Sequence, residues 1–225
     1  MNNQAFARAG LLVLLLSALL WAGDPWKEKP YTAWTDKEVE KILSNSPWAK
    51  KIEGYAPNPS IPTTPKWTAN RPIPQGTDPR SQLTHLFTVV WLSARTIREA
   101  EARRGQLQRT LGKEPAGQLP SPEHYYVIAA RGPHALSFSL LSPEVLRQSA
   151  YLQVEKRKIL PARLEFTGYA GQGLEVRFYF PREVDGQPVI GSKHKKVKFH
   201  STSQFRPFTV TFELPRMRRN GVPDL

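Results

Sequence analysis

The chain lacks cysteine altogether. Disulfide bonds, cysteine-based metal centres, thiol catalysis and lipid attachment at a cysteine are therefore excluded within it. Acidic residues are also scarce, since 19 Asp and Glu accompany 32 Lys and Arg and leave a formal net charge of +13. A chain this basic is expected to associate with anionic partners, such as phosphate-bearing polymers or lipid headgroups.

Catalytic sequence motifs are missing as well. No histidine pair has the short spacing typical of a zinc site, and no Gly-x-Ser-x-Gly elbow or phosphate-binding loop is present. The sequence therefore predicts no metal and no cofactor, and it favours a protein without enzymatic activity. Because carboxylates from distant segments can converge in a fold, a hydrolase acting on envelope polymers is kept as the alternative.

Residues 1–22 have the layout of a secretory signal peptide. A short polar start with Arg8 precedes an apolar block from Leu11 to Leu20, and Ala22 supplies a small residue near the cleavage point. The chain is therefore predicted to be exported, to the periplasm or the extracellular space. An uncleaved membrane anchor is the alternative, although the apolar block is shorter than the roughly 20 residues that usually cross a bilayer.

Residues 23–54 are predicted to form two short helices. Thr35 and Glu38 have the identity and spacing of a capping box at the start of the first helix. Ser46-Pro47 has the residue types preferred at the start of a second helix, and Gly54 would end it.

Two tryptophans, Trp34 and Trp48, accompany these short helices. Helices of this length cannot bury an apolar face by themselves. The tryptophans are therefore expected to dock either on the main domain or on another envelope protein. Residues 55–80 are rich in proline, which interrupts helices and central strands, and are predicted to form an extended connector.

Residues 81–225 are predicted to form an α+β domain. Leu86–Leu92 is apolar on both faces, as in a strand buried in the centre of a sheet. Helices are expected to begin near Thr96 and at Ser142-Pro143. The last third alternates apolar and polar residues, the pattern of antiparallel strands with one buried face and one face in water. The predicted architecture is a mostly antiparallel sheet of about six strands with two helices on one face.

The strongest functional candidate is a run of basic residues near the C-terminal end. On a strand, Lys196, Lys198 and His200 would share one face, and Lys193 and Lys195 would lie in the adjacent turn. Such a row of positive charges is able to bind the phosphate or sulfate groups of a polyanion. The alternative is that lysines on an edge strand only prevent edge-to-edge aggregation.

A second basic group lies on the first predicted helix of the main domain. It consists of Arg95, Arg98, Arg103 and Arg104 and is diluted by Glu99 and Glu101. This mixture of signs indicates a salt-bridged helix face rather than a binding surface.

Several segments of the chain occur in a recognisable combination. They are Pro30–Trp34, Ser46–Lys50, Val90–Ala94, Phe178–Pro181 and Phe212–Leu214. In these segments the chain resembles a group of uncharacterised secreted bacterial proteins, and the tryptophan-containing N-terminal segment is the most specific part. The resemblance implies secretion and one shared architecture. It implies no activity, ligand or site.

Together these features favour an exported, non-enzymatic protein of the periplasm or cell envelope. We expect it to act as a binding or structural accessory with affinity for polyanions. Its expected partners are anionic envelope polymers or another envelope protein, whereas a specific nucleic-acid role is not favoured. Contact with a membrane is expected only if the signal peptide stays uncleaved.

Overall fold

The computed structural model of the chain describes five stretches of residues. These are 23–57, 81–111, 123–168, 173–203 and 207–225. The predicted signal peptide and most of the predicted proline-rich connector lie outside the described residues.

Strands are the most frequent regular element of the described chain. In chain order they are β1 (Ala49–Pro57), β2 (Ser81–Trp91), β3 (Tyr125–Arg131), β4 (Tyr151–Val154), β5 (Arg157–Ile159), β6 (Arg163–Gly168), β7 (Leu174–Pro181), β8 (Glu183–Val184), β9 (Gln187–Pro188), β10 (Lys196–Thr202), β11 (Pro207–Glu213), β12 (Arg218–Arg219) and β13 (Val222–Pro223). The helices are α1 (Pro25–Glu28), α2 (Asp36–Ser44), α3 (Arg95–Thr110) and α4 (Pro143–Ser149), with 3₁₀ turns at Tyr31–Ala33, Ala135–Phe138 and Leu214–Arg216.

Two antiparallel sheets organise these strands. The larger has five strands in the order β1-β2-β3-β7-β6, and the smaller has four in the order β11-β10-β4-β5. Two short ribbons, β8-β9 and β12-β13, complete the pairing among the described residues. The α+β class is confirmed, but the single sheet of about six strands is corrected to two separate sheets.

The two sheets pack face to face through aromatic rings. Trp91 of β2 meets Phe212 of β11 edge-on, with ring centroids 5.1 Å apart. Phe178 of β7 meets Phe199 of β10 in the same way, also at 5.1 Å. Edge-to-face pairs of this kind add to the stabilisation that comes from burying the rings. The smaller sheet therefore owes its position to rings on the buried face of β10 and β11.

Helices α2 and α3 cover the opposite face of the larger sheet. They pack on each other, and α2 also contacts β1 and β2 through the buried Val39, Ile42 and Leu43. Helix α4 instead lies against β10 and β6. The two helices predicted for one face, α3 and α4, are thus placed on different parts of the fold.

The prediction of a second N-terminal helix is wrong, because the chain turns at Ser46 and enters β1 at Ala49. The Ser46 hydroxyl donates to the carbonyl of Ile42 at 2.7 Å, so it closes the end of α2 instead of starting a new helix. From Ala49 onward the backbone pairs with β2, beginning opposite Val90. Ladder hydrogen bonds to a long neighbour outweigh a weak local preference for helix.

Trp34 and Trp48 lie in the core of this chain, and 0% of the surface of either residue is exposed. The indole Nε1 of Trp34 donates to the carbonyl of Pro25 at 3.1 Å. The ring of Trp48 meets that of Trp26 edge-on, with centroids 5.4 Å apart. Both residues also contact the main domain, since Trp48 Nε1 donates to the carbonyl of Asp224 and Nε of Arg103 donates to the carbonyl of Trp34. The tryptophans thus dock within this chain, and neither ring is accessible on the surface of this fold.

Candidate anion-binding site

Strand β10 and the turn before it position the basic residues predicted as a site. Along β10 the buried Val197, Phe199 and Ser201 alternate with Lys196 and Lys198 on the outer face of the smaller sheet. This alternation follows from the two-residue period of a strand. The predicted common face for Lys196, Lys198 and His200 therefore matches the observed register.

Local hydrogen bonds shape the turn before β10. The backbone N–H of Gly191 donates to Nδ1 of His194 at 2.8 Å. The carbonyl of Lys195 accepts from the backbone N–H of Leu214 at 2.9 Å, which ties the turn to the end of β11. These contacts hold the segment that carries Lys193 and Lys195 beside the strand.

All four lysines of this region line one concavity. We call it the lysine pocket; it has a volume of about 320 Å³, and its lining residues are Gln153, Glu155, Lys193, Lys195, Lys196 and Lys198. Glu155 and Gln153 come from β4 and the turn that follows it. The fold thus collects lysines from a turn and a strand around one opening.

Strand β10 is not an edge strand, because it pairs with β11 on one side and with β4 on the other. Lys198, for example, is opposite Thr211 of β11 and Gln153 of β4. The expectation that these lysines only protect a sheet edge is therefore wrong. Their positive charge has no role in preventing edge-to-edge pairing once both sides are occupied.

The lysine pocket carries uncompensated positive charge. Among the described residues, none of its four lysines forms an ion pair. Its one carboxylate, on Glu155, lies 3.7 Å from Nε2 of His194. A concave surface on which positive charges outnumber negative ones four to one concentrates the electric field and attracts anions.

His200 lies next to the lysine pocket but does not line it. Its Nε2 lies 3.0 Å from the Oε1 of Gln153, and its Nδ1 lies 2.8 Å from the hydroxyl oxygen of Thr209. This pattern fits a neutral ring protonated on Nε2. The ring also stacks on Tyr151, with centroids 4.4 Å apart and planes 16° from parallel.

Burial lowers the pKa of His200 below its ordinary 6.5, and the nearby positive charges of Lys198 and Lys158 lower this pKa further. At neutral pH the ring is therefore uncharged. Of the five residues predicted to bind polyanions, four contribute a cation to the pocket, and His200 instead orders its neighbour Gln153.

A buried cluster of arginine and glutamate, which the sequence reasoning missed, lies between α3 and the larger sheet. Glu101 of α3 binds Arg104 and, at 2.5 Å, Nη1 of Arg131 on β3. The same Nη1 lies 3.4 Å from Oε2 of Glu175 on β7, and Oε1 of Glu175 accepts from Nε of Arg177 at 2.6 Å. We call these five residues the arginine–glutamate cluster; all of them are buried.

The cluster continues toward the edge of the sheet on β6. Glu165 accepts a hydrogen bond from the hydroxyl of Tyr179, and the guanidinium of Arg163 lies 3.6 Å from the centre of the Tyr179 ring. Burial raises the pKa of Tyr179, and the hydrogen bond to the Glu165 carboxylate raises it further. The phenol therefore stays protonated as a donor at neutral pH.

The carboxylates of Glu101 and Glu175 converge on Arg131, but they do not form a hydrolase site. Each is bound by guanidinium groups and is almost wholly shielded from solvent. A catalytic acid or base must reach a substrate proton. The sequence signal for this cluster was the arginine that ends the apolar strand β3, together with the alternating Glu175 and Arg177.

Three further observations bear on function. Within the described stretches, His, Asp and Glu side chains do not gather in groups of three or more that could hold a metal ion. In the same part of the chain, every helix is too short or too polar to cross a membrane. Comparisons with protein families, curated proteins and solved structures found no match to this chain.

Proposed function

We propose that this chain is an exported, non-enzymatic protein of the cell envelope that binds anionic polymers at the lysine pocket. The observation that carries the proposal is the convergence of Lys193, Lys195, Lys196 and Lys198 around one opening with a single carboxylate. Lysine ammonium groups are compact charges on flexible stems, which suits phosphate or sulfate groups spaced along a chain.

The fixed position of the strand supports the same proposal. Lys198 is paired with both β11 and β4, and Lys196 is paired with β11, so their backbone positions need little further ordering when a ligand binds. Export rests on the layout of residues 1–22 and on the resemblance to secreted proteins. An anionic polymer of the envelope would be present in the compartment that these features predict.

The test replaces the four pocket lysines by glutamine and measures retention on immobilised heparin and on a teichoic-acid matrix. We expect elution at a markedly lower salt concentration, because salt competes with the lost ion contacts. The matched control removes the same number of exposed positive charges elsewhere, at Lys37, Lys51, Arg109 and Arg147.

Retention that falls only in the pocket variant supports the proposal. An equal fall in both variants would show that net charge alone governs retention and would overturn it. Near-ultraviolet circular dichroism of both variants establishes that the fold is kept.

A further inference from the structure

A second basic pocket lies near the N-terminal helices. We call it the tryptophan pocket; it has a volume of about 510 Å³, and its lining includes Trp26, Lys27, Lys41, Lys50, Arg216 and Arg218. These residues come from α1, α2, β1, the last 3₁₀ turn and β12, so tertiary structure alone brings them together.

Most of the positive charge in the tryptophan pocket is uncompensated. Lys27 forms an ion pair with Asp24 at 2.8 Å, and Arg218 donates to the carbonyl of Gly221. Lys41, Lys50 and Arg216 have no carboxylate at ion-pair distance among the described residues. Three cations from three separate elements therefore line one space, and none of them is ion-paired within the described stretches.

The surroundings of Lys50 show the effect of this crowding. Burial lowers the pKa of its ammonium group, and the positive charge of Arg216 lowers it further, against a smaller opposing effect from Glu213. An anion in the pocket would offset both effects and favour the charged form of Lys50.

Trp26 supplies an independent observation. Its ring is buried and packs on Trp48, but its Nε1 has no hydrogen-bond partner among the described residues. Buried indole N–H groups usually have an acceptor, since an unsatisfied buried donor costs about 1–3 kcal/mol. Trp26 therefore contributes to the lining of this pocket a residue whose buried donor has no acceptor within the described stretches.

We propose that the tryptophan pocket is a separate binding site for a small ligand carrying phosphate. The volume is within the range of pockets that hold small molecules. Phosphate offers more acceptor oxygens and more negative charge than a carboxylate, so it suits cations contributed by α2, β1 and the 3₁₀ turn together. This site is distinct from the lysine pocket and does not require a polymer.

The experiment follows the indole ¹H–¹⁵N signal of Trp26, assigned with a Trp26→Phe variant, in the full chain at constant ionic strength. Inorganic phosphate and pyrophosphate are the probes, with sulfate and acetate as comparisons. We expect a saturable shift with phosphate and pyrophosphate, a similar one with sulfate, which shares the tetrahedral oxyanion shape, and none with acetate.

Variants assign the shift to the pocket. Lys50→Gln and Arg216→Gln should each weaken phosphate binding by about tenfold or more, since each removes a charge-assisted contact. Lys51→Gln is the matched control, because Lys51 is the exposed neighbour of Lys50 and its side chain lies on the other face of β1.

A Lys196→Gln/Lys198→Gln variant separates this inference from the proposed polymer binding. Its phosphate affinity at Trp26 should be unchanged. If the shift is absent, or equally weakened by Lys51→Gln, or abolished by the lysine-pocket variant, the tryptophan pocket is not a separate site. None of these outcomes alters the heparin test of the lysine pocket.

Discussion

The indole N–H of Trp48 donates a 2.7 Å hydrogen bond to the carbonyl of Asp224, 176 residues further along the chain. The carboxylate of Asp224 accepts from the backbone N–H groups of Arg95, at 2.6 Å, and Thr96, at 3.0 Å. These are the first two residues of α3, whose own N-cap residue, Ala94, has no side-chain acceptor. One distant aspartate thus caps α3 and anchors the start of β1.

We therefore predict that Asp224→Ala lowers the free energy of unfolding by about 1–2 kcal/mol, because it removes a helix cap and a favourable charge at the N-terminus of α3. Urea denaturation followed by circular dichroism measures the change. Asp185→Asn is the control, since Asp185 lies in an exposed turn with positive φ that asparagine also tolerates. Equal stabilities for the Asp224 variant and the parent would contradict the cap.

Replacing Arg131 by methionine should lower the free energy of unfolding far more than Asp224→Ala does. The substitution leaves the buried carboxylates of Glu101 and Glu175 without the guanidinium that lies between them. Removing one partner from a buried ionic cluster costs about 3–5 kcal/mol. Denaturant midpoints compared with those of Arg95→Ala test this, because Arg95 makes an exposed pair with Glu99 and its loss should change little.

A second substitution tests whether the cost of Arg131→Met comes from the two carboxylates that lose the Arg131 guanidinium as a partner. Adding Glu101→Gln removes one of those charges and should restore part of the lost stability. The contrary outcome is simple additivity, in which Glu101→Gln lowers the stability of Arg131→Met by as much as it lowers that of the parent. That outcome would show that the two residues act independently.

The pH dependence of His200 provides the third prediction. Because its pKa in the folded state is below the ordinary 6.5, the unfolded chain binds a proton more readily. The associated stability is fully present above pH 6.5 and is lost as the pH falls through the lower folded-state pKa. NMR titration of the imidazole measures this value directly.

Lys198→Gln should raise the pKa of His200, since it removes a neighbouring positive charge, and Lys37→Gln on α2 should leave it unchanged. A polyanion bound at the lysine pocket should raise this pKa as well. A titration midpoint at or above 6.5 in the free protein would contradict the burial of the ring and its proximity to Lys198 and Lys158.

Short-range features were predictable from residue order. The capping box of Thr35 and Glu38 is present at α2, and the Ser142 hydroxyl accepts from the backbone N–H of Val145 at the start of α4. Each depends on residues three positions apart, so no distant part of the chain has to be known. The same holds for the alternation along β10, which a two-residue period sets.

The face of β7 that carries Glu175 and Arg177 shows where such reasoning stops. Alternating polar residues predict a face in water, but both side chains are buried. Glu175 is bound by Arg131, which lies 44 residues earlier, and Arg131 also reaches Glu101 on α3. A pattern within one strand cannot reveal that a distant helix covers this face, or that residues elsewhere supply charges of opposite sign to pair with it.

The order of residues by itself thus determined which basic residues cluster near the C-terminal end, on which face of β10 Lys196 and Lys198 lie, and how α2 and α4 are capped. Packing decided that β10 lies inside a sheet and that the four lysines of β10 and the preceding turn share a pocket with Gln153 and Glu155. Packing also decided that Lys41, Lys50 and Arg216 line another pocket. The reason is range: caps and strand periodicity act over a few residues, whereas strand order and pockets depend on which distant apolar surfaces bury each other.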